Sequence, residues 1–214
     1  WKTFTSAAGV GVIGTAYPNG LLMKTGQTTS YGAGSDGDLQ KGTAQSFTDN
    51  GNGTVTDNRT GLMWEKKSDN GDIHDKDTIY TWGQNVSPYA MNGTMVTTFL
   101  AALNTAPCFA GYCDWRIPNG KELFSLVNWE VFNPATFSAF NTGCTAGCTI
   151  TTCSCTTQNN YWSSSTYTFI PDNAWFVNFT FGYSNGNFKT IDDVKKVPGL
   201  AANKVDYRKN RIEF

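Results

Sequence analysis

Four of the six cysteines lie within residues 144–155, CTAGCTITTCSC, and this crowding constrains the chain more than any other feature. Cysteines this close serve as a zinc cage, a redox centre or covalent staples. The spacing C-x3-C-x4-C-x-C suits zinc poorly. Zinc knuckles are usually C-x2-C pairs set far apart, whereas these spacers are short and rich in β-branched Thr and Ile, with no Lys or Arg nearby to offset thiolate charge. A thioredoxin-like centre needs C-x-x-C, which is absent, and the remaining pair, Cys108 and Cys113, is C-x4-C. An even cysteine count in a chain with few charges fits an oxidising compartment. Cys153 and Cys155 are too close to bridge easily. The favoured pattern is therefore nested, with Cys144–Cys155 outside Cys148–Cys153, clipping a turn at TITT, while Cys108–Cys113 closes its own loop. Loops this short remove little chain entropy, so the bridges are expected to stiffen loops and not to hold the fold.

The 214 residues suffice for one domain with a core. Charged residues make up 15% and the formal net charge is −1, which gives no electrostatic reason to expect nucleic acid or an anionic membrane as partner. With 22 Gly and 14% aromatics, the chain reads as a loop-rich β protein packed by its aromatic rings. No apolar run approaches the roughly 18 residues needed to cross a bilayer, so no transmembrane segment is expected. The chain opens on Trp1 without a basic n-region, and is read as a mature product whose export signal has been removed.

FTDNGNGTVTDNRTGLMWEKK (47–67) reads as a three-stranded meander around an Asn-Gly-Asn-Gly turn. Residues 94–104 carry apolar side chains at helical spacing, with Thr94 as N-cap. In DWRIPNGKELFSLVNWE, Asn119 and Glu122 form a capping-box pattern, and Leu123, Leu126 and Val127 supply the buried stripe of a second helix. NNYWSSSTY reads as a strand, AWFVNFTF as a central strand with Trp162 and Trp175 in the core, and GYSNG as the turn leading into NFKT. Strand candidates also occur in the apolar stretch 7–17 and in KVDYRKNRIEF of the charged tail.

FTDNGNGTVTDNRTGLMW, DWRIPNGKELFSLV, YWSSSTY and AWFVNF, in that order, resemble a bacterial exported family named after the C-terminal domain of the Legionella collagen-like adhesin. The resemblance covers roughly residues 27–190 and leaves 1–26 as an N-terminal extension and 191–214 as a charged tail. It implies an α+β, C-type-lectin-like fold: twisted antiparallel sheets, two helices and long disulfide-clipped loops. It also implies surface display and adhesion, with sulfated polysaccharides as one ligand class, and no established enzymatic activity. The usual closing strand, resembling VRCVRG, is missing, which suggests a separate task for the ends.

The single histidine, His74, lies in the acidic stretch DIHDKD, and Ser163, Ser164 and Ser165 lack a Gly-x-Ser-x-Gly elbow, so no catalytic residues are expected. Asp72, Asp75 and Asp77 are candidate calcium ligands, with Asp69 in the same loop; the alternative is a solvated acidic loop. Tyr167, Asn173, Tyr183, Asn185 and Asn187 are candidate ligand-binding residues, because flat rings and amides suit sugars and protein partners. The expected function is an exported, non-enzymatic surface module binding glycan or protein. The alternative is a subunit of an extracellular homo-oligomer or filament assembled through its terminal segments.

Overall fold

The computed structural model of the chain describes residues 22–83, 89–171 and 173–186. The strand candidates at 7–17, 187–190 and in the tail lie outside the described residues, as does Asn187. The chain divides into two units, each assembled from separated segments. The first holds residues 22–78, Ser125–Asn159 and Phe179–Gly182, and the second Ile79–Phe124, Asn160–Asn178 and residues 183–186, among the described ones.

The first unit opens with a one-turn helix, α1 (Asp36–Leu39), capped by Ser35, and continues into the meander β1 (Phe47–Asp49), β2 (Thr54–Asp57) and β3 (Met63–Glu65). The three strands pair antiparallel in sequence order. Asp49 Oδ1 accepts from the Gly51 N–H, which closes the Asn-Gly-Asn-Gly turn. Gly53 has φ +88°, and a Cβ there would meet Ile150 Cδ1 at 2.5 Å, so the tip of the cysteine loop lies directly on this turn. Asp57, 1% exposed, spends both carboxylate oxygens on the next turn, accepting from the Arg59 N–H and the Thr60 hydroxyl. Phe47 packs on Phe137 and, edge-on, on Phe140, which also meets Trp64.

All three disulfides, Cys108–Cys113, Cys144–Cys155 and Cys148–Cys153, have the nested pairing expected from spacing. Their role differs from the expectation. Cys148, Cys153 and Cys155 are buried and form a core cluster of their own in the first unit. The Cys155 N–H donates to the Lys67 carbonyl, the Asp69 N–H donates to the Cys148 carbonyl, and Thr142 bridges Ser154. The cystines thus replace aliphatic packing where the sequence supplies small and polar side chains, so they do more than clip a surface loop.

In the second unit a π-helix, Met95–Leu100, runs into α2 (Ala101–Asn104). Thr94 does not cap it. Its backbone is already helical, and its hydroxyl is engaged with Thr81 instead: the Thr81 N–H donates to Thr94 Oγ1 and the Thr94 N–H to Thr81 Oγ1. The capping box at α3 (Gly120–Phe124) forms as expected. Asn119 Oδ1 accepts from the Lys121 and Glu122 N–H groups, and Glu122 returns a carboxylate oxygen to the Asn119 N–H. The helix ends at Phe124, so Leu126 and Val127 are buried off the helix, and Val127 pairs with Thr136 in an isolated bridge.

The second sheet contains β4 (Asn160–Thr166), β5 (Ala174–Asn178) and β6 (Tyr183–Gly186), antiparallel in that order, with β5 central as expected. The turn lies at residues 179–182 and GYSNG is mostly strand, because Asn178 pairs with Tyr183 and Trp175 with Gly186. Trp82, Met95, Ile117 and Ala174 form the core, with Trp162 packed against it and its indole N–H on the Tyr80 carbonyl. Trp175 is not core. It is 37% exposed, although Val177 on the same face of β5 is fully buried, so the exposure is local to the Trp175 end of the strand.

Candidate functional site

The expected ligand residues do not gather at one place: Tyr167 and Asn173 lie where β4 ends and β5 begins, whereas Tyr183 pairs with Asn178 at the opposite end of the second sheet. The Tyr167 N–H donates to the Asn173 carbonyl, and the Asn173 N–H to the Ile170 carbonyl. Asn173 is 7% exposed, so it braces the loop base and offers little surface. Tyr183 and Asn185 lie in β6, and Tyr183 remains 41% exposed, with burial of its ring raising its hydroxyl pKa. The residues that the sequence reading left out are Phe169 and Trp175. Phe169 is 83% exposed, and the Tyr167 ring meets it at 6.3 Å and meets Trp175 edge-on at 5.5 Å. Strand alternation alone carried no signal for Trp175, because Val177 on the same face is fully buried.

The support beneath this aromatic cluster is polar and fully committed. The Ser163 hydroxyl donates to the Trp175 carbonyl, and Ser165 Oγ accepts from the Gly120 N–H. Gly120 lies beside Trp175, since a Cβ added there would be 3.7 Å from the Trp175 Cβ. Arg116 grips Glu122 through two parallel bonds of 2.7 Å, and the guanidinium holds the Glu122 carboxyl below the usual carboxylate range.

In the first unit, the acidic loop brings together Asp69, Asp75 and Asp77, whose carboxylate oxygens lie within 4.8 Å of one another. Asp72, one of the three expected calcium ligands, faces Ser68, whose hydroxyl donates to it at 2.7 Å. The Lys76 ammonium is paired with Asp69 at 3.2 Å and with Asp77, so it supplies positive charge to the cluster. Asp75 accepts from the Gly71 and Asp77 N–H groups, and these bonds hold its carboxyl below the ordinary value. The loop is therefore internally satisfied. His74, the single histidine, has Nδ1 at 2.6 Å from Glu65, which also pairs with Lys67.

Glu130 has a strongly lowered pKa. The Thr29 hydroxyl and the Thr28 and Thr29 N–H groups bind its carboxylate and lower its pKa to about 2. A depressed carboxylate stabilises the fold above its unfolded pKa, and that contribution is lost as pH falls through the folded value. The attachment of residues 28–29 to Glu130 is therefore expected to persist at pH 5 and to be lost as pH falls from about 4.5 toward 2. Amide exchange at Thr28 and Thr29 checks this, and Glu130→Gln should remove the pH step.

The four sequence blocks that carry the resemblance now have positions: the meander, the α3 capping box, β4 and β5. The sequence model of the Lcl C-terminal domain matches residues 53–195. This chain belongs to the Lcl C-terminal domain family. The match begins at the first hairpin turn and includes the disulfide core, α3 and the second sheet, so this Lcl domain is an adhesin-related module. No curated protein and no solved structure matches the chain. No helix among the described residues of the Lcl domain is long and apolar enough to cross a membrane.

Proposed function

We propose that this Lcl domain is an exported, non-enzymatic binding module with a C-type-lectin-like fold, displayed at the bacterial surface or secreted, and that it contacts glycan or protein through the Tyr167–Phe169–Trp175 cluster. The observation that carries the reading is the exposure of Phe169 and Trp175 above a rigid polar support. Exposed rings held in place lose little conformational freedom on binding, and aromatic anchors dominate binding energies at interfaces. The groups that catalysis would need are committed elsewhere: His74 to Glu65, and the Ser163 and Ser165 hydroxyls to backbone groups. The disulfides and the family support an oxidising, extracellular setting. Lys76 balances one of the carboxylate charges of the acidic loop, and the binding reading does not depend on calcium there.

Binding of the full chain to a glycan array and to host-cell surfaces tests this. Phe169→Ser with Trp175→Ala is expected to weaken binding by about tenfold or more at unchanged Tm. Undiminished binding by the folded double variant would rule out the cluster as the contact surface.

A second reading is association of copies into an oligomer or filament. Trp129, Val131, Phe132 and Phe181 of the first unit are 51%, 42%, 76% and 59% exposed, an apolar group that a second copy would cover. Mass measurement of the full chain over a concentration series decides it: a monomer at every concentration removes this reading.

A further inference from the structure

We propose a second binding site, independent of the aromatic cluster and built largely from residues that precede the family match: a cavity in the first unit that takes one sugar ring bearing a carboxylate, of the uronic-acid type. The cavity measures about 220 Å3 and is lined by Lys24, Gln27, Gln40 and Gln45, with Phe137 and Gly26 in its wall. Pockets for drug-sized ligands run from about 300 to 1,000 Å3, so this one is sized for a single ring.

Its walls are built, not incidental. The Trp129 N–H donates to the Thr25 carbonyl, and the Thr28 N–H is held by Glu130. Gly26 has φ +91° and lies so close to Asn128 that a Cβ would stand 2.2 Å from Oδ1. On the opposite side, the Lys24 N–H donates to the Thr43 carbonyl, and Thr43 donates to Leu22. Phe137 is fixed by its contact with Phe47 at 5.4 Å.

The lining specifies the ligand. The primary amides of Gln27 and Gln40 each offer donors and an acceptor, which matches adjacent hydroxyls that each donate and accept. Gln45 donates from Nε2 to the Ser125 carbonyl at 3.1 Å, and this fixes the amide. Its Oε1 is buried and closed off from the cavity, so Gln45 braces the wall and does not meet the ligand through that atom. Gln40 holds a left-handed backbone, φ 43° and ψ 44°, a conformation that costs a glutamine more than glycine or asparagine. Phe137 offers an apolar face to the C–H side of a ring. Lys24, a partly buried residue, joins none of the described ion pairs, and a ligand carboxylate would supply its ammonium with a counter-charge. The neighbouring carboxylates do not line the cavity: Asp36 accepts from the Thr25 hydroxyl, and Glu130 is bound to Thr28 and Thr29. A bare inorganic anion would offer the amides acceptors only and leave the Phe137 face uncovered, and a neutral sugar would give Lys24 no counter-charge.

The test is an amide-shift titration of the full isotope-labelled chain with glucuronate, glucose, inorganic sulfate and an oligouronate. Glucuronate is expected to give saturable shifts in residues 24–28 and 40–45, with glucose about tenfold weaker because it lacks the charge-assisted contact. Lys24→Met should abolish that preference at unchanged Tm, and Gln27→Leu should weaken both sugars. An oligouronate binding more tightly at the same amides places a polymer residue in the site, and equal affinity places a free sugar there; both support the proposal. Sulfate matching glucuronate, absence of shifts in these residues, or a preference that survives Lys24→Met would overturn it.

Discussion

Replacing Cys148 and Cys153 together by alanine is expected to destabilise the chain by about 3–4 kcal/mol, more than the same change at Cys108 and Cys113. Each pair is separated by five residues, so loop closure alone predicts the same loss for both, about 2 kcal/mol. Burial separates them. Cys148 and Cys153 are 9% and 1% exposed in a core where Cys155 is their packing partner, whereas Cys113 is exposed. Removing the inner bridge therefore adds a cavity term to the entropy term. Cys108→Ala with Cys113→Ala should cost about 2 kcal/mol or less. Urea unfolding of the two double variants checks this, and equal losses would mean that the cysteine core contributes only chain constraint.

Asp49→Ala is expected to cost about 2–3 kcal/mol, a large loss for a carboxylate that is itself half exposed. The reason is its partner. Lys66 is 3% exposed, and its ammonium lies 2.7 Å from Asp49. Without the carboxylate, a buried positive charge is left unpaired, and the exposure of Asp49 discounts the full penalty of a buried pair only partly. Lys66→Met removes the charge and keeps the volume, so it should cost about 1 kcal/mol or less. The double change Asp49→Ala/Lys66→Met should recover most of the loss. The same pairing lowers the Asp49 pKa, chiefly through the Lys66 hydrogen bond, so this contribution is present at neutral pH and fades as acid protonates the carboxylate. A double-mutant cycle measures the coupling, and Asp49→Ala proving no worse than Lys66→Met would refute the account of this pair.

Local chemistry was legible in the sequence where it is closed within a few residues. The nested cystines, the Asn119–Glu122 capping box and the three-stranded meander each depend on partners close in the chain, and each forms. Errors arose where a distant partner decides. Thr94 is a sound cap by its neighbours, yet Thr81 takes its hydroxyl. Leu126 and Val127 continue a helical stripe, yet Thr136 draws Val127 into a bridge. GYSNG has turn chemistry, yet the register with β5 makes it strand and moves the turn to residues 179–182. Trp175 shows that a tryptophan in a central strand need not be core even where Val177 on the same face is fully buried. The candidate sites were partly legible. Tyr167 was read as a ligand residue, but its companions Phe169 and Trp175 were not, and in the acidic loop Asp69 took the place expected for Asp72. The cavity at Lys24 left no sequence signal, because its glutamines come from two separated segments and no short motif joins them.

The account rests on a scaffold whose core is partly sulfur and which holds aromatic rings out for binding. Its most direct test is mass measurement of the native chain after denaturation and alkylation, with and without prior reduction. The predicted result is no added label before reduction and six labels after it, with all six cysteines in the three bridges described. Label taken up without reduction, or a stoichiometric zinc ion released from residues 144–155, would contradict it.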